Sequence, residues 1–286
     1  MQDKCCYLFK LSIIISLLSF IGLSCNDADT DENSFSVRWA GRQAVIGGVV
    51  ESIYVEGGSG DFTAESSDES IAEVEYKTNN EGEHYINVIA KSKGEVTIYV
   101  SDGDKTEAVP VTVVDYYVPM NISGTQALVL SDGKSDTALE MDLMNKDAYF
   151  KNENAFILHE DGNNTFYAFK NSDDIKNKKQ YASKGVYQFK EINNKHCLVL
   201  AVDKKEYVFE ITGSQSGIHS LYKQLMPEWL LEKNDTKANA HFLTYTLKED
   251  FTEEYKVRYS DRNISQAVLE YTVLFLFSGD YPVPVE

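Results

Sequence analysis

The residue types that most often carry chemistry are scattered through this 286-residue chain. His84, His159, His196, His219 and His241 include no pair four residues apart and no HExxH, so folding alone would have to bring zinc ligands together from distant positions. Solitary histidines on strand edges account for them. With 45 acidic residues, some pair will reach the spacing of about 5 to 10 Å that a glycosidase needs, and that pattern singles out nothing. No GxSxG elbow, P-loop or dinucleotide fingerprint occurs, so no cofactor is implied. Asp61, Asp68, Glu69, Asp102 and Asp104 lie in acidic turns. Calcium would need roughly six to eight converging oxygens, and hairpin turns in which Asp and Gly tolerate left-handed backbone explain these residues instead.

Four aromatic residues, Tyr222, Trp229, Tyr245 and Tyr255, are the candidate ligand platform. Exposed rings of this kind stack on sugars or porphyrins and use a polar rim for specificity. For Trp229 the alternative is a place in the core beneath a helix.

The elements around them read as mainly β. The 18 tyrosines and 14 phenylalanines against 2 tryptophans favour pleated surfaces. A formal charge of −18 argues against duplex nucleic acid, where cationic side chains must displace phosphate counterions. Length fits about two domains.

Cysteines stand at 5, 6, 25 and 197. Lys4 and Lys10 bracket a basic start, and the apolar run "LSIIISLLSFIGLS" is too short to span a bilayer comfortably but suits the hydrophobic region of a secretory signal. Gly22, Leu23, Ser24 and Cys25 resemble the lipobox of bacterial lipoproteins, which implies cleavage before Cys25 and fatty acylation of its thiol. A plain signal peptide with an incidental Cys25 is the alternative. Residues 26–32, "NDADTDE", are too polar and self-repelling to fold. They resemble the acidic export signal that sends some Gram-negative lipoproteins to the outer face of the outer membrane. Cys197, in "KHCLVLAV", then remains a lone thiol and reads as a small core hydrophobe.

From Phe35, turn signals at Gly47-Gly48, "GGSGD" and "SSDES" separate short runs with period two, as in Ile86, Val88 and Ala90 or Val96, Ile98 and Val100. The series "GGSGDF", "SSDESIAEV", "IAKSKGEVTIYVSDGD" and "AVPVTV" resembles the bacterial Ig-like group 2 family. That resemblance implies a sandwich in which Ser70, Ile71 and Ala72 shape a turn before a core strand and Gly94 permits a tight link. Such modules often space a functional domain from a membrane.

Pro119 in "DYYVPMNISG" predicts a joint at which a ladder stops. Beyond it, "AFILHEDGNNTFYAFK" predicts a hairpin. "VYQFKEINNKHCLVLAVDKKEYVFEIT" predicts a three-stranded meander turning at Asn193-Asn194 and Asp203-Lys204. Ile218, Leu221, Tyr222, Leu225 and Trp229 recur at three and four, the stripe of an amphipathic helix. Two long strands follow, "NAHFLTYTLKEDF" and "ISQAVLEYTVLFLF". The tripeptide Asp136, Thr137, Ala138 resembles an O-glycan acceptor motif of bacteria that display such lipoproteins, which implies glycosylation of Thr137.

The expected organisation is a signal peptide over 1–24 and a lipidated acidic tether over 25–34. An Ig-like β-sandwich over 35–117 precedes a larger β-rich, α+β domain over 118–286 with one amphipathic helical segment. The expected function is a lipid-anchored surface protein in the outer membrane whose distal domain binds a glycan or another surface protein. A surface hydrolase with paired carboxylates and a structural assembly subunit with a long unpaired edge strand are the alternatives.

Overall fold

A computed structural model describes residues 35–39, 43–47, 51–212, 244–276 and 279–285. The expected signal segment, the expected tether with Cys25, the expected amphipathic helix and the residues Tyr222, Trp229, His219 and His241 lie outside the described residues.

The first module is a sandwich of two four-stranded sheets. One has the order β1 (Phe35–Trp39), β3 (Glu51–Gly57), β6 (His84–Ala90), β5 (Ala72–Thr78); the other has β2 (Ala44–Val45), β8 (Lys105–Val114), β7 (Gly94–Asp102), β4 (Phe62–Ser66). Period two turns Ile53, Ile86 and Val88 of one sheet toward Ile98, Val100 and Val111 of the other, and all six are buried. Burying each contributes roughly 1.5 to 3 kcal/mol. Asp68 shapes the turn before β5: its carboxylate accepts from the amide and hydroxyl of Ser70, and its carbonyl accepts from the amides of Ile71 and Ala72. A Cβ on Gly94 would meet Ile71 Cδ1 at 2.9 Å, so the side chain of Ile71 occupies the space that glycine leaves. Asp102 is spent on the amide and hydroxyl of Ser59.

The second module comprises β9 (Tyr117–Ser131), β10 (Lys134–Ser135), α1 (Thr137–Met144), a 3-10 turn (Tyr149–Lys151), β11 (Ala155–His159), β12 (Thr165–Phe169) and α2 (Ser172–Lys176). It continues with β13 (Ser183–Ile192), β14 (Lys195–Val202), β15 (Lys205–Thr212), β16 (Thr244–Asp250), α3 (Thr252–Arg258) and β17 (Ile264–Phe275). Hairpin β11–β12 and the meander β13–β14–β15 form as the turn residues require. Asn193 and Asn194 (φ 52° and 60°) and Asp203 and Lys204 (φ 50° and 67°) make two-residue loops with both central residues left-handed, the geometry that matches strand twist.

The sheet then closes. Among the described residues, eight strands run antiparallel from β9 through β11–β17, and β17 pairs a second time with β9, from Ile264 opposite Ser131 to Phe275 opposite Met120. This is an up-and-down barrel, which leaves the apolar β17 no free edge. Register shifts at Ile264/Gln266 and Thr272/Val273 supply the bending that closure demands.

Pro119 does not stop a ladder: it lies inside β9, opposite Ile157 of β11. Its carbonyl accepts from Leu276 on the β17 side, so the position of its missing N–H also faces that side, where the pairing with β17 runs out at Phe275. The proline therefore costs no bond to β11.

The lumen is filled. Phe150, from the 3-10 turn, is 1% exposed and sits 5.1 Å from Phe156 of β11, 5.0 Å from Phe209 of β15 and 5.5 Å from Tyr271 of β17, centroid to centroid. Barrels of eight strands either hold one small ligand or are packed with side chains; this one is packed.

Candidate functional site

Only Asp115 and Tyr116 separate β8 from β9, so the modules meet directly. Val45 and Val114 of the sandwich join Tyr117, Ile157, Tyr167 and Phe169 of the barrel in one buried cluster. Val283 of the returning C-terminal segment completes it. Gln43 fastens that segment: its Nε2 donates to the Val283 carbonyl at 3.0 Å and its Oε1 accepts the Val283 amide at 2.9 Å, all of it buried.

Beside this seam is a cavity of about 780 Å³ whose walls include Lys93, Val114, His159, Thr165, Lys184 and Val283. The local sequence explains its buried histidine. β11 is "AFILH" and every residue is buried, because one face lines the lumen and the other faces the sandwich. His159 ends that strand at 8% exposure, and neither ring nitrogen has a hydrogen-bond partner. The ring of Tyr117 stands edge-on at 6.3 Å, with that of Tyr167 at 6.5 Å.

Asp161 Oδ2 lies 4.0 Å from His159 Nδ1, but its carboxylate is committed to the turn. Oδ1 accepts the amides of Asn163 and Thr165, and Oδ2 accepts the Thr165 hydroxyl at 2.6 Å. Lys93 pairs with Asp115 at 2.7 Å, and Lys184 Nζ stands 5.4 Å from the Tyr167 ring centroid. Burial pushes the His159 imidazole below its ordinary value; Asp161 and Asp115 oppose that push and Lys93 adds to it. Burial works to raise Asp161, but the hydrogen bonds from Thr165 and Asn163 outweigh it and hold the carboxyl low. Burial, with Asp115, raises Glu160. The wall therefore holds ionised Asp161 beside a neutral, unpartnered imidazole.

A second groove, of about 690 Å³, runs past Lys195, Glu210, Lys248, Asp250, Phe251 and Gln266. Lys195 pairs with Glu210 at 2.7 Å and Lys248 with Glu270 at 2.5 Å, a self-neutralising, solvated surface. Burial raises the carboxyl of Glu249, with a lowering contribution from the Tyr271 hydroxyl that donates to it at 2.9 Å. That is one of the two features a hydrolase requires, but Glu249 lines neither cavity.

Of the four platform residues, Tyr245 and Tyr255 lie among the described residues. Tyr245 and Tyr255 are 3% and 0% exposed, which corrects the expectation of exposed rings. Tyr245 points into the core, its hydroxyl 3.1 Å from Met120 Sδ and its ring 5.5 Å from that of Phe275. Tyr255 packs from α3 onto the core and donates its hydroxyl to Asp142 of α1 at 2.7 Å. Both are apolar bodies with a satisfied polar tip, and the barrel core, not a ligand, covers them.

Thr137 is the exposed first residue of α1, while Asp136 caps the helix by accepting the Leu139 amide at 3.2 Å and pairs with Arg262. His84 stacks on Tyr76. Cys197 is buried at 4%, and burial raises its thiol. Sequence reasoning missed Lys93, Lys184 and the pair Gln43 and Val283, and it read His159 as a solitary histidine on a strand edge, whereas it is buried at the end of β11, which is paired on both sides. A signal for His159 existed: a histidine that ends an unbroken apolar strand is buried on whichever face it takes.

No family model matches the chain, and no curated protein matches it. Among solved structures, domains 5-6 of the S-layer protein SbsC align at 18% identity over 63% of this chain and 88% of that one, with a TM-score of 0.25. Domains 4-9 of SbsC align at 15% identity over 76% and 28%, with a TM-score of 0.26. The eight N-terminal Ig domains of Down Syndrome Cell Adhesion Molecule align at 13% identity over 76% and 35%, with a TM-score of 0.23. At such scores none of them carries an argument about this chain, and the strand pairing defines its fold.

Proposed function

We propose that this chain is a lipid-anchored binding protein of the cell envelope, held by acylated Cys25 on the outer face of the outer membrane. In this reading the acidic segment 25–34 is a solvated leash and the sandwich and barrel are displayed together as one stiff body. The observation that supports display as one body is the seam: a shared buried cluster and the bonds between Gln43 and Val283 join the modules, so the sandwich does more than space the barrel. Anchoring confines the body to two dimensions and raises its effective concentration near partners in the same envelope.

Among the described residues the packed lumen leaves no enclosed substrate site and the raised carboxyl of Glu249 stands outside both cavities, which supports binding over hydrolysis. The seam cavity is the binding site in this reading. Its size and a wall that sets Lys93, His159, Asp161, Asn163, Thr165 and Lys184 beside Val114, Val186 and Val283 suit a glycan or a side chain of another surface protein, and domain junctions are where such sites concentrate. The assembly alternative loses β17 as its free edge, since that strand is paired on both sides.

Cys25→Ser in the producing cell tests the anchor. The expected result is release from the membrane fraction and loss of the acyl mass; retention of the variant with the membrane sinks it. A glycan array and an envelope pull-down with the full chain then separate the two ligand classes.

A further inference from the structure

The unpartnered imidazole at the seam has a physical consequence that no binding role requires. Every charged group around His159 is already engaged. On the following turn, Asp161 spends both oxygens on Asn163 and Thr165. On the β8–β9 link, Asp115 holds Lys93 of the β6–β7 turn. From β9 and β12 come the rings of Tyr117 and Tyr167, with Lys184 of β13 over the latter. Glu160, the next residue in the chain, is itself held toward its neutral form by burial and Asp115. A proton added to His159 would thus create a buried charge whose nearest carboxylate, Asp161, can turn to it only by giving up its own bonds.

Such a charge must be hydrated. Both ring nitrogens are shut off from solvent, and the cavity wall beside the ring includes Val283, Pro284 and Val285 of the returning segment. That segment is fastened by the two neutral bonds between Gln43 and Val283. Asp161, 4.0 Å from the ring, offsets only part of the desolvation of that charge, and opening the segment to water gives up two neutral hydrogen bonds, so protonation of the ring and release of the segment favour each other.

We propose that the seam carries an acid-released latch: protonation of His159 frees the segment 279–285 from Gln43 and opens the cavity that this segment helps to wall. The latch acts on the chain's own packing and is independent of how the chain is anchored or what it binds. The sign follows from linkage. Burial holds the folded imidazole below the unfolded value of about 6.5, so the seam keeps its full stability above that pH and loses it as pH falls through the folded value.

Amide exchange of the full-length protein, corrected for intrinsic rates, tests this between pH 7.5 and 5.0. The expected result is at least a tenfold loss of protection at Val283, with Ile98 in the sandwich core and Phe156 in the barrel unchanged. His159→Phe, which keeps an aromatic ring and removes the titration, should hold Val283 protected across the range. Unchanged protection at Val283 in the wild-type chain overturns the proposal, as does equal loss in the variant. Where the variant does not fold, the wild-type imidazole resonance decides: proton uptake by His159 must share its midpoint with the exposure of Val283, and separate midpoints overturn the latch.

Discussion

Replacing Phe150 by alanine tests the claim that the barrel is a packed solid. The ring is 1% exposed and touches aromatic residues of three different strands at centroid distances of 5.0 to 5.5 Å. Burial and cavity terms for Phe→Ala cost about 3 to 5 kcal/mol, the upper end applying where surroundings cannot collapse. A ladder closed through β9 and β17 resists collapse, so a loss of about 4 to 5 kcal/mol is expected in urea unfolding of the barrel followed by amide exchange at Phe156 and Phe209. The void would be dry and lined by Phe156, Phe209 and Tyr271, and such cavities take up benzene. Benzene at tenfold its dissociation constant should then return about 1.4 kcal/mol to the variant, and nothing to the wild-type chain. A loss under about 1 kcal/mol, or an equal effect of benzene on both proteins, would refute a filled lumen.

Two further outcomes follow from single contacts. Gln43→Leu strands the buried amide and carbonyl of Val283, at about 1 to 3 kcal/mol for each unsatisfied group. At 1.4 kcal/mol per tenfold, protection of the Val283 amide against exchange should fall on the order of 100-fold while Ile98 keeps its own. Tyr255→Phe removes a hydroxyl that donates to the Asp142 carboxylate, at about 1.5 to 3 kcal/mol for a bond to a charged group. That bond is the leading cause of the lowered Asp142 carboxyl, so its titration, followed by carboxyl carbon NMR, should move up toward the ordinary aspartate range.

What the sequence made legible was local. Alternation across Ile86–Ala90 and Val96–Val100 announces strands with one buried face, and "NN" and "DK" between apolar runs announce two-residue hairpins, because period and turn chemistry are decided within a few residues. Closure of the barrel was not legible, since it depends on β9 meeting β17 across the whole domain and each strand would read the same in an open sheet. The same limit misplaced Pro119, whose missing donor is harmless only because its partner strand ends there. It misplaced Tyr245 and Tyr255 too: a tyrosine suits a wet platform or a core with a partner for its hydroxyl, and composition cannot separate the two. At the seam, His159, Gln43 and Val283 come from three remote stretches, and nothing in the neighbourhood of any one of them names the others.

Threading order matters for a molecule closed this way. As the chain leaves a narrow exit amino end first, the sandwich strands can all be present and paired while β9 still waits with one flank bare for the last staves of the barrel. Because that final pairing spans so much sequence, it forms late and slowly. Until it does, the bare flank is the part of the molecule most in need of a chaperone's cover.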